Sequence, residues 1–252
     1  MKPKEKMKII LPALDKLYPQ AQTALSHRTP LEMLVATILS AQCTDKKVNE
    51  VTRALFKKYR SVRDYAEADL SELEADIRAT GFFHNKAKSV KNCCTELIRR
   101  HQGQVPRTLE ELTALPGIGR KTANVVLGSA FGIPGVVVDT HVGRIVQRLG
   151  LTREKDPVKI EWALMPLIPE NRWILFSHQL IAHGRSLCPA RSPKCPECPL
   201  RPACDFGTAL KMEEGRGKMG AQSPSAVTPI RRQSKKNDSP QIMMRKNGKS
   251  EE

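Results

Sequence analysis

Aromatic side chains are scarce in this chain. Two Trp, three Tyr and six Phe make up 4% of its 252 residues, too few for a stacking platform along single-stranded nucleic acid. Long apolar runs are missing as well. Nowhere do about 18 apolar residues follow one another, so no segment predicts a membrane-spanning helix. The opening stretch MKPKEKMKIILPALDK lacks the apolar core of an export signal, and the chain reads as cytoplasmic. Acidic residues are outnumbered, 26 against 42 Lys and Arg, leaving a formal charge of +16 and a pI near 9.7. Such a charge favours a polyanionic partner, the alternative being a basic surface that only keeps the protein dissolved. With few aromatics, contact with the phosphates of a duplex is the expected mode.

Extended structure is also nearly absent from the pattern, which predicts an all-α fold. Thr29-Pro30-Leu31-Glu32 has the form of an N-cap, a first-turn proline and a capping-box glutamate. Leu31, Leu34, Val35, Ile38 and Leu39 then recur at helical spacing. Further helices are predicted around Val48, Val51 and Leu55; around Leu70, Leu73 and Ile77, ended by Gly81; and around Ala87, Val90, Cys94, Leu97 and Ile98. Thr108 with Glu111 repeats the capping box, Asp156-Pro157 opens another helix, and a last one runs from Trp173 to His183, stopped by Gly184. Only Val136-Val137-Val138 looks extended, and three residues read as a buried connection. From about residue 211 the pattern gives way to Gly, Ser, Pro, Lys and Arg, predicting a disordered tail. Residues 211–252 hold ten Lys and Arg against five Asp and Glu, so the tail carries +5 of the +16 and does not explain the basicity.

Four of the seven cysteines close the patterned part: Cys188, Cys195, Cys198 and Cys204, spaced C-x6-C-x2-C-x5-C in a proline-broken loop. So short a loop has no apolar reason to fold, and four thiolates in it point to a metal centre. Tetrahedral zinc and a [4Fe–4S] cluster both accept four thiolates. One C-x2-C inside a wider wrap suits the bulkier cluster, with zinc, or two disulfides, as the alternatives. Cys43, Cys93 and Cys94 lie in helical patterns and read as reduced thiols.

Leu115-Pro116-Gly117-Ile118-Gly119-Arg120-Lys121-Thr122 joins two helices through glycines two residues apart. Such a turn brings backbone N–H groups and a helix N-terminus close to an anion, although an ordinary helical corner would need only one of the glycines. Lys121 falls in the first turn of the following helix, where the dipole disfavours an ammonium. A partly neutral amine there is a candidate Schiff-base nucleophile, and a phosphate-binding surface lysine is the alternative. Asp139 follows the valines and precedes a helix carrying Ile145, Val146 and Leu149. It reads as an N-cap whose oriented carboxylate is also available to a developing cation or a proton.

LPGIGRKTA resembles the helix-hairpin-helix motif. Together with Ser40-Ala41-Gln42, VDTHVGRI from Val138 to Ile145 and the cysteine loop, in that order over about residues 5–206, it makes the chain similar to the endonuclease III family of bifunctional pyrimidine-specific DNA glycosylases. The resemblance implies two helical domains flanking a DNA-binding cleft. A six-helix barrel over 22–135 would hold the hairpin, and residues 1–21 with 136–211 a [4Fe–4S] cluster domain, followed by the basic tail over 212–252. It implies a monomer acting on double-stranded DNA with a damaged pyrimidine or an abasic site, in a bacterial cytoplasm at the nucleoid. Lys121 takes the family's Schiff-base position and Asp139 that of its catalytic aspartate. Gln42 matches the residue that fills the gap left by a flipped base, and Phe82 or Phe83 the apolar wedge. Gly117 and Gly119 would meet phosphate; Lys86, Arg120 and His141 are candidate phosphate or pocket contacts; Arg191 and Lys194 would face phosphates from the cluster loop, with Cys188, Cys195, Cys198 and Cys204 as cluster ligands.

Overall fold

A computed structural model describes residues 1–209, and among these every regular element is helical. The predicted tail and residues 210–211 lie outside the described residues. The helices are α1 (Pro3–Leu17), α2 (Pro30–Leu39), α3 (Asp45–Lys58), α4 (Val62–Glu67), α5 (Leu70–Ile77), α6 (Phe83–His101), α7 (Leu109–Thr113), α8 (Arg120–Phe131), α9 (Thr140–Leu149), α10 (Pro157–Leu164) and α11 (Trp173–Ser186).

Two apolar clusters organise them. The first gathers residues from Leu25 to Leu127 around α2, whose residues from Met33 to Leu39 are all buried. A helix apolar on every side belongs at the centre of a lobe, and α3, α6 and α8 pack around it. Its start follows the sequence: Thr29 Oγ1 accepts the Glu32 N–H at 3.2 Å, while Glu32 Oε2 reaches one residue further back, to the Arg28 N–H at 2.6 Å. The second cluster joins Met7, Ile10 and Leu14 of α1 to residues from Val136 to Ala203. Lys6, 2% exposed, fastens α1 to this lobe by donating to Leu149 O and Asp205 Oδ1, both at 2.6 Å. Val136 to Val138 are buried without strand structure, and the Val137 N–H donates to Ser177 Oγ at 3.0 Å.

One helix boundary departs from expectation. Gly184 does not stop α11, which runs on to Ser186. Glycine is needed there for a close approach: a Cβ would lie 2.7 Å from His141 Nδ1 and 3.0 Å from Ile145 Cδ1. The residue is a contact between α9 and α11, and local sequence cannot tell such a contact from a terminator. Helix α4 carries too few apolar residues to be read from periodicity. Ser61 and Asp64 form its capping box, and Tyr65 buries it against the first cluster.

Candidate active site and metal centre

The chain leaves α2 through Gln42, at φ 50°, and enters α6 through Phe82, at φ 49°. Left-handed backbone costs a non-glycine residue roughly 1–2 kcal/mol, and here both strained positions serve one surface. Gln42 and Phe82 line a shared cavity of about 230 Å³ together with Gly117 and Thr122. Phe82 is 62% exposed, whereas Phe83 packs against the first apolar cluster. Of the two candidate wedges, only Phe82 projects.

Gln42 and Thr122 also line a second cavity, of about 360 Å³, between the lobes. Lys121 enters it from the first turn of α8, Asp139 from the cap of α9, and His178 and Arg185 from α11. The two residues singled out for catalysis, 18 positions apart in sequence, thus face one space. Asp139 is a true cap: Oδ1 accepts the Val142 N–H at 2.8 Å, and the buried valine connection fixes where the carboxylate sits. Burial lowers the pKa of His178, which holds its imidazole neutral. Asp45 and Arg185 pair at 2.8 Å between α3 and α11. His178, Asp45 and Arg185 carry no motif-level signal, because α3 and α11 read as ordinary packing helices until the cavity unites them.

The hairpin presents its turn as expected. Gly117 adopts φ +77° with its α-carbon against α6, where a Cβ would stand 3.2 Å from Ser89. Gly119 is the N-cap of α8 without a side-chain cap, and the space where its Cβ would stand is open. An uncapped N-terminus beside open space suits an anion.

Three further candidate contacts are held by partners within the protein. Lys86 lines the Gln42–Phe82 cavity but is only 5% exposed, and its Nζ donates to Thr80 O at 2.8 Å, bracing the turn behind Phe82; burial lowers its pKa. Arg120 spends its guanidinium fork on Glu161 of α10, at 2.8 and 2.9 Å, and Asn124 adds a bond at 3.2 Å. This buried carboxylate clamps the lobes together, and it raises the Arg120 pKa. His141 packs on Gly184, with Nδ1 3.2 Å from Arg144 Nη2. Since a guanidinium only donates, Nδ1 accepts and the proton sits on Nε2. Arg191 and Lys194 are exposed on the cysteine loop.

All four loop cysteines line one cavity, with His183, Arg148 and Leu149. Arg148 Nη1 donates to Cys188 Sγ at 3.1 Å, and the Gly207 N–H to Cys204 Sγ at 3.3 Å. Burial pushes the Cys198 thiol up to about 11 and raises that of Cys204. Thiolates in such a place need a positive partner.

The model of the HhH-GPD superfamily of base excision DNA repair proteins matches residues 35–170. Endonuclease III of Synechocystis is 52% identical over 207 residues, spanning 82% of this chain and 94% of the relative. This chain belongs to the endonuclease III family. The Bacillus subtilis endonuclease III is 45% identical over 81% of this chain and 93% of its own length. A solved non-covalent endonuclease III–DNA complex superposes with a TM-score of 0.80 at 46% identity, covering 84% of this chain and all of the other. A trapped covalent endonuclease III–DNA intermediate matches equally well. The endonuclease III fold is therefore all-α here, and no described helix is long and apolar enough to cross a membrane.

Proposed function

We propose that the cavity holding Lys121 and Asp139 is the catalytic centre of a base excision repair DNA glycosylase with AP lyase activity on double-stranded DNA. The observation that carries this reading is the meeting of an amine and a capped carboxylate in one inter-lobe cavity. An oxidised pyrimidine leaves the duplex at a stacking cost that damage reduces. Phe82 wedges into the stack and Gln42 fills the vacated place, both from the strained rim of the neighbouring cavity. Lys121 Nζ, as free amine, forms a bond to C1′ while the glycosidic C–N bond breaks and the base departs with its electron pair. Asp139 stabilises the cation developing at C1′ and moves a proton. The nitrogen then loses its proton and the C1′–O4′ bond breaks, O4′ taking up a proton, to leave an imine that acidifies C2′; loss of that proton expels the 3′ oxygen and cuts the strand on the 3′ side of the lesion. The open turn at Gly117 and Gly119 holds a phosphate, and Arg191 and Lys194 lie ready for others.

We read the first lobe as a barrel domain over 22–135 and the second as a domain of 1–21 and 136–211, of which 210–211 lie outside the described residues. The second holds a [4Fe–4S] cluster through Cys188, Cys195, Cys198 and Cys204. Their thiols share one cavity. One C-x2-C inside a wider wrap favours a cluster over zinc. When bound, the cluster cross-links a loop without a core of its own and fixes its basic residues.

Borohydride reduction with an abasic-site duplex tests the assignment. Covalent trapping through Lys121 is expected; a noncatalytic DNA-binding protein with the same hairpin gives no adduct, and that result would reject the lyase.

A further inference from the structure

His183 is 2% exposed and plays no part in the Lys121 cavity. Its ring stands between the end of α1 and the cysteine loop. Tyr18 Oη lies 3.3 Å from Nδ1, and Cys198 Sγ lies 3.6 Å from Nε2. Tyr18 Oη is also 2.7 Å from Ser186 Oγ, one turn further along α11. The backbone holds the residue against the loop: His183 O accepts the Leu187 N–H at 3.0 Å and the Cys188 N–H at 2.8 Å. The Tyr18 and His183 rings meet edge on, with centroids 6.0 Å apart.

The direction of these bonds follows from the sulfur. A cysteine sulfur bound to iron carries no proton and only accepts, so the 3.6 Å contact is a hydrogen bond when Nε2 carries the hydrogen. The imidazole then presents Nδ1 as an acceptor, and the Tyr18 hydroxyl supplies the donor. That arrangement requires the Ser186 hydroxyl, which donates to Ala182 O at 2.9 Å, to donate instead to Tyr18 Oη, 2.7 Å away. Tyr18, His183 and Cys198 then form one directed chain that begins at the C-terminal end of α1 and ends on a ligand sulfur.

We propose that His183 is a positioning residue that sets the reduction potential of the cluster by donating Nε2–H to Cys198, with Tyr18 fixing its tautomer. The inference rests on the cluster reading given above. An N–H donated to a ligand sulfur stabilises the more negative, reduced cluster and raises its potential, and a partner on the far ring nitrogen fixes the orientation of the donor. Cys188 and Cys204 take their hydrogen bonds from Arg148 and from the Gly207 backbone. Cys198, in contrast to these two, is joined through a side-chain relay to the end of α1.

The test is the midpoint potential of the full chain purified with its cluster, with cluster content read from iron and from absorption near 400 nm. His183→Leu is expected to shift the potential downward, His183→Gln to recover most of the shift through its amide N–H, and Tyr18→Phe to give a smaller downward shift. An unchanged potential in fully loaded His183→Leu, or equal shifts for the Leu and Gln variants, overturns the inference. Should the Leu variant not retain the cluster, wild-type protein labelled with 15N-histidine decides. A magnetic coupling between a histidine nitrogen and the reduced cluster supports the bond, and its absence overturns it. A wild-type protein without iron or the 400 nm band overturns the cluster reading itself.

Discussion

At position 121, glutamine keeps the hairpin backbone and removes the nucleophile. Lys121→Gln is expected to lower strand cleavage by more than roughly 10³-fold, the scale of losing a covalent nucleophile, while a gel-shift assay shows duplex binding retained. Equal loss of both would make Lys121 a phosphate contact. Adjacent phenylalanines separate recognition from stability in the same way. Phe82 projects and Phe83 packs inward, so Phe82→Ala should depress lesion processing with little change in the urea midpoint. Phe83→Ala should cost about 2 kcal/mol, the value of one partly buried aromatic side chain, with lesion binding by the remaining folded protein little altered.

Between elements, the closest constraint is the α9–α11 contact at Gly184. A Cβ 2.7 Å from His141 Nδ1 and 2.9 Å from its Cβ has no flexible group to displace, because His141 is itself held by Arg144. Gly184→Ala is expected to destabilise by about 1–3 kcal/mol, the usual cost of overpacking, read as a lower urea midpoint at constant slope. The α8–α10 clamp works through charge. Arg120→Ala leaves the Glu161 carboxylate buried with only Asn124 beside it, and a loss of about 3 kcal/mol is expected. Arg120→Lys restores little, since an ammonium cannot reproduce the two parallel bonds of the fork. Were Arg120 instead a phosphate ligand, the variants would weaken DNA binding and leave the denaturation midpoint in place.

For the whole molecule, the charge of +16 and the open α8 N-terminus predict binding dominated by counterion release. Affinity for a duplex should fall by on the order of 10³-fold between about 50 and 200 mM salt if about six phosphates are neutralised. A flat response would contradict a duplex held in the cleft. Purified protein should be brown, with absorption near 400 nm lost on cluster oxidation. A colourless, zinc-loaded protein would remove the cluster and leave the Lys121 chemistry untouched.

Local patterns in the chain determined a good deal: the central helix with its Thr29 cap, the Gly117 turn, the cap at Asp139 and the grouping of four cysteines. These depend on a few consecutive residues whose backbone preferences and hydrogen bonds are satisfied locally. Tertiary structure alone decided that Lys121 and Asp139 share a cavity with His178, that Phe82 and not Phe83 projects, and that Arg120 and Lys86 turn inward to Glu161 and Thr80. It also made Gly184 a helix contact and not a helix end. The reason is physical: a charged or glycine residue looks the same in sequence whether its partner is solvent, phosphate or a group 40 residues away, and only packing chooses among them.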